Sequence, residues 1–152
     1  MQNSSSGHVL SADRRRSLRC LAETIIPAST EYGVPSAGDD AIFADILRSL
    51  GRDANHVVAV LQALDSLSGG IFADLNPQRR DVVAAQLRET GGSALIYLTR
   101  IILQCYYRDD RVMRSLGMEA RPPFPKGFEV EQGDWSLLDQ VRARPKLYRN
   151  AP

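Results

Sequence analysis

"SALIYLTRIILQCYY", Ser93 to Tyr107, is the most apolar stretch of the chain, and its reading decides the fold. Leu95, Leu98, Ile102, Cys105 and Tyr106 recur at helical spacing, and Ile101 widens the stripe. Apolar residues nearly all the way round predict a helix set centrally among others.

Working outward, the neighbouring segments repeat the helical period. Upstream, Asn76 followed by Pro77 is a favoured helix opening. That helix carries Val82, Val83 and Leu87 and stops before Gly91-Gly92. Before it, Asp53 is expected to cap a helix bearing Val57, Val60, Leu61, Leu64 and Leu67, which ends at Gly69-Gly70. A helix from about Asp39 to Leu50 aligns Ile42, Phe43, Ile46, Leu47 and Leu50, with Gly51 as its stop. The first helix, about Ala12 to Ile26, takes Ser11 as N-cap, buries Leu18, Leu21, Ala22, Ile25 and Ile26, and closes at Pro27. Downstream, "DDRVMRSLG" reads as a short helix. No stretch alternates apolar and polar residues as a half-buried strand would. The expected fold class is therefore all-α. A bundle of five or six helices covers residues 11–117, after a polar, disordered start (1–10) and before an extended C-terminal arm (118–152).

Size and charge set the outer limits. A chain of 152 residues, 43% hydrophobic, can bury roughly two-thirds of its unfolded surface. Its 19 basic and 18 acidic residues leave a net charge of +1, which calls for neither nucleic acid nor an anionic membrane. No apolar run approaches the ~20 residues that cross a bilayer. Cys20 and Cys105, far apart and both in helical patterns, read as buried free thiols, with a bridge to a partner as the alternative.

Few residues offer chemistry. His8 and His56 lack Cys, His or paired carboxylates at metal-ligand spacing. Dinucleotide and phosphate-loop glycine patterns are missing, as is a nucleophile elbow. Arg14, Arg15, Arg16 and Arg19 form a basic cluster that reads as a solvated face, with phosphate contact as the alternative. Asp109-Asp110 read as a helix cap rather than as paired catalytic acids. No catalytic, cofactor or metal site is expected in this chain.

The arm is different in kind. "RPPFPKGFEVEQGDWSLLDQVRARPKLYR", Arg121 to Arg149, holds four prolines, two phenylalanines, a tryptophan and a tyrosine. Prolines pre-extend the backbone, so docking it loses less entropy. Aromatic rings and arginines most often dominate interfaces. The expected partner interface is Arg121, Pro122, Pro123, Phe124, Phe128, Trp135, Leu138, Arg144 and Tyr148. The competing reading has the rings completing the bundle's own core. Within the arm, Asp134 is expected to cap one amphipathic turn whose Leu137, Leu138 and Val141 point inward against something, ahead of Arg142, Arg144, Lys146 and Arg149.

"LRCLAETIIPAS", "GGIFADLNPQRRDVVAAQL", "YYRDDRVMRSLGMEARPPFP" and "DWSLLDQVRARPKLYR", in this order, resemble the gluconate 2-dehydrogenase subunit 3 family. The resemblance spans most of the chain from about Leu18. It implies a non-catalytic, chaperone-like small subunit in a heterodimer or higher heteromer. The large partner would be an FAD-dependent dehydrogenase or oxidase of the glucose-methanol-choline superfamily, acting on an alcohol or sugar hydroxyl. FAD would sit in that partner, and in multi-subunit relatives a cytochrome c takes the electrons. Many relatives carry a twin-arginine signal. Here Arg19 and Glu23 interrupt the apolar residues after the arginines, so no export signal is expected. The expected location is the cytoplasm, with co-export to the periplasm as the alternative. The rival reading from another class is a small helical nucleic-acid-binding regulator using the Arg-rich first helix.

Overall fold

The computed structural model describes residues 10–51, 54–121, 126–127, 129 and 131–146. Its helices are α1 (Ala12–Ile25), α2 (Asp40–Ser49), α3 (Ala54–Ser68), α4 (Pro77–Thr90), α5 (Gly92–Tyr106), α6 (Asp110–Ser115) and α7 (Asp139–Arg142). The chain forms two compact units, Met1–Ala120 with α1 to α6, and Arg121–Pro152 with α7. The first is an all-α bundle, and no strand occurs among the described residues.

Local signals set the helix ends. Ser11 Oγ accepts from the Arg14 amide at 3.3 Å, and Asn76 Oδ1 accepts from the Arg79 amide at 2.9 Å ahead of Pro77. Asp39 and Asp109 cap α2 and α6 in the same way, accepting from Ala41 and Arg111. Gly69, with φ +67°, ends α3, and the Gly70 amide reaches back to the Asp65 carbonyl at 3.3 Å. That five-residue return needs a left-handed residue, which glycine adopts without strain. Gly117 (φ +73°) closes α6 likewise, with Met118 N–H bonded to Met113 O at 3.0 Å. The Asp53 cap expected for α3 lies outside the described residues.

The core gathers one face from each helix. α5 packs against α3, α2 and α4, while α3 also meets α4 and α1. Leu18, Leu21, Ile42, Ile46, Val57, Leu61, Leu64, Val83, Leu87, Leu98 and Ile102 are almost wholly buried. Leu10, last residue of the polar start, is also in this cluster. Phe72, in a 3₁₀ turn over Phe72–Asp74, is fully enclosed. Arg80 of α4 holds that turn by donating to the Ala73 carbonyl at 2.6 Å, and Arg16 of α1 pairs with Asp74. The "FADL" block therefore packs against α1 and α3 and is tied to α4 through Arg80.

Two elements turn apolar side chains to solvent. Val82 is 47% exposed, because Val83 and Leu87, four apart, take the core side and leave Val82 a ~100° step round the helix. α5 is also less central than its composition suggests. It packs mainly against α3, α2 and α4, yet Ile96 is 70% exposed and Tyr97, Leu103 and Tyr107 also reach solvent. A six-helix bundle is too thin to wrap every side of one helix.

Candidate partner interface

In the second unit, Asp134 caps the turn as expected. Its carboxylate accepts from the Ser136 amide at 3.0 Å and from Ser136 Oγ at 2.6 Å. These bonds hold its carboxyl below the usual carboxylate range. A 3₁₀ turn over Trp135–Leu138 runs directly into α7, where Arg142 pairs with Asp139 at 3.2 Å. The Trp135 indole N–H donates to Gln132 Oε1 at 3.3 Å.

The side chains of this turn are exposed. Trp135 is 60% exposed and Leu137 75%, and Leu138 and Val141 are exposed as well. Two short helical pieces, eight residues in all, are too small to enclose their own apolar side chains. Arg144 and Lys146 extend the exposed basic end. Arg121 donates to the Gly127 carbonyl at 2.6 Å. Of the expected interface residues, the structure thus describes Arg121, Trp135, Leu138 and Arg144. Pro122, Pro123, Phe124, Phe128 and Tyr148 lie outside the described residues, as do Arg149 and His8.

The bundle has a surface of its own that sequence reasoning missed. Tyr32, Tyr107 and Leu116, each more than half exposed, border a hollow of about 200 Å³ floored by Val34, Tyr106 and Val112. The Tyr106 hydroxyl donates to the Pro35 carbonyl at 3.2 Å, fixing the loop that carries Tyr32 and Val34. The Ser29–Val34 backbone bridge fixes it from the other side. No period could reveal this patch, since its residues come from a loop, the end of α5 and the end of α6. A second groove, of about 420 Å³, opens between α1, α4 and α5.

The thiols and basic residues are placed as follows. Cys105 is buried, 3.4 Å from Ser49 Oγ, and Cys20 is half-buried; both are free. Burial pushes both thiols above their ordinary pKa. In the basic cluster, Arg16 pairs with Asp13 and Asp74, and Arg19 pairs with Asp40 while lying over the Phe43 ring at 5.6 Å. His56 stacks on Tyr97 at 4.8 Å. Among the described residues, no group of three His, Cys, Asp or Glu side chains is arranged to hold a metal, and no helix is long and apolar enough to cross a membrane.

Comparison with protein-family models, curated proteins and solved structures gives no match to this chain.

Proposed function

We propose that this chain is the non-catalytic small subunit of an FAD-dependent oxidoreductase of the glucose-methanol-choline superfamily. In this reading it assists folding, flavin loading or maturation of the large subunit. The observation that carries the proposal is the arm's turn at 135–141, where Trp135, Leu137, Leu138 and Val141 stand in solvent. A tryptophan with three aliphatic neighbours and a basic flank is the composition of an interface anchor. The ordered resemblance of four sequence blocks to the gluconate 2-dehydrogenase subunit 3 family supplies the identity of the partner. FAD belongs to that partner, the substrate is an alcohol or sugar hydroxyl, and the pair works in the cytoplasm unless the partner brings an export signal.

Regulation of nucleic acid through α1 has less behind it. Arg16 and Arg19 already carry acidic partners, which lowers the positive potential that α1 offers to phosphates.

The test is co-expression with the flavoprotein encoded nearest to this chain, following flavin absorbance through size exclusion. A yellow, active heteromer that forms only in the presence of this chain is the expected result. A flavoprotein that is flavinated and active alone, with this chain eluting separately, refutes the proposal. Replacing Phe124 and Trp135 together with alanine is expected to release the partner while the bundle stays helical. Unchanged co-purification would remove the arm from the interface.

A further inference from the structure

The groove between α1, α4 and α5 has a symmetry that points to its occupant. Leu21, Ile25 and Leu95 form its apolar wall, and α4 supplies Asp81, Ala84, Ala85 and Arg88. Those four stand at i, i+3, i+4 and i+7 and share one stripe of the helix. Asp81 and Arg88 lie ~10 Å apart along the axis, too far to pair with each other. Neither has an ion-pair partner among the described residues.

The order acid, alanine, alanine, base is self-complementary about the Ala84–Ala85 peptide. A second α4 laid antiparallel across the first, about a two-fold axis at that point, sets each Asp81 against the other copy's Arg88. The alanines then meet where their size permits close approach. Both free charges are satisfied at once, and the contact closes on itself as isologous interfaces do. We propose that this groove is a self-association surface, occupied by α4 of a second copy of this chain. The inference goes beyond the flavoprotein reading and does not depend on it. One short helix face is smaller than the ~1,200 Å² of a standard interface, so the association is weak and reversible.

Sedimentation equilibrium of the full chain, from micromolar to near-millimolar concentration and at low and high salt, tests it. Wild type is expected to pass from monomer to dimer, less readily at high salt. Asp81→Arg and Arg88→Asp are each expected to weaken association roughly tenfold, since each turns two attractive pairs repulsive. The double variant Asp81→Arg/Arg88→Asp restores the pairing in swapped form and is expected to recover most of the affinity. Both positions are exposed, and circular dichroism checks that each variant remains helical. A wild type that stays monomeric at every concentration overturns the proposal and leaves the groove to a different protein. A dimer indifferent to the single reversals, or one that the double swap fails to restore, overturns it equally.

Discussion

The Arg111 guanidinium donates to both carboxylate oxygens of Asp39, at 2.7 and 3.2 Å, across 72 residues of sequence. It also donates to both oxygens of Asp109, each at 2.9 Å. Asp39 caps α2 and Asp109 caps α6, so a single arginine ties two helix N-termini together. A planar fork with five donors can grip both oxygens of two carboxylates at once, four bonds that lysine's three donors cannot make. A second clamp lies nearby, where Arg108 at the end of α5 pairs with Asp45 of α2.

These clamps predict the acid limb of stability. Arg111 holds the carboxyls of Asp39 and Asp109 below their ordinary range. Burial alone would raise Asp45, but the hydrogen bond and charge of Arg108 outweigh it and keep it low. A carboxyl with a depressed folded-state pKa stabilises above the unfolded value of about 4, and that contribution is lost as pH falls through the folded value. Urea midpoints are therefore expected to hold steady from neutrality to about pH 5 and to fall below about pH 4.

Arg111→Gln separates this clamp from general acid effects. Arg111 is 44% exposed, so solvent screening limits the loss to about 1 kcal/mol at neutral pH. The difference from wild type is expected to vanish in strong acid, where Asp39 and Asp109 are protonated in both. A difference that persists there would assign the loss to packing instead.

Phe72 and Trp135 are expected to behave as opposites. Phe72 is fully enclosed, so Phe72→Ala should destabilise the bundle by roughly 3–5 kcal/mol. Trp135 is 60% exposed, so Trp135→Ala should change bundle stability by less than about 0.5 kcal/mol. Thermal melts followed at the helical signal distinguish the two outcomes.

Asn76→Ala removes the acceptor for the Arg79 amide at the start of α4. The expected loss is about 1 kcal/mol, and Asn76→Asp should recover it, because the carboxylate accepts the same bond. Denaturant titration of both variants checks the cap directly.

The thiols should resist modification. Cys105 is 2% exposed and Cys20 only partly accessible, and burial raises both above the ordinary thiol value. At neutral pH a disulfide reagent is expected to label Cys20 slowly and Cys105 only after denaturation. Above about pH 8.5 the unfolded chain releases these protons more readily than the folded one, so stability declines as pH rises.

The helices were legible from sequence because their causes are local. A Ser11, Asp39, Asn76 or Asp109 side chain needs only the amide two or three residues on, and Gly69 and Gly117 need only their own backbone freedom. The all-α class, the core faces of α1, α2 and α3, and the capped turn in the arm follow from such short-range patterns. Exposure did not follow. Composition surrounded α5 with neighbours, and which of its sides are covered depends on which element stands opposite.

The sequence by itself determined where helices start, stop and turn an apolar side, since those forces act within about one helical turn. Only the tertiary structure decided what those helices bring together across long separations. It joined Arg111 to Asp39, set Tyr32 beside Leu116, and opened the groove beside Asp81 and Arg88. Such contacts carry no period along the chain, because they arise from close-packing of whole elements.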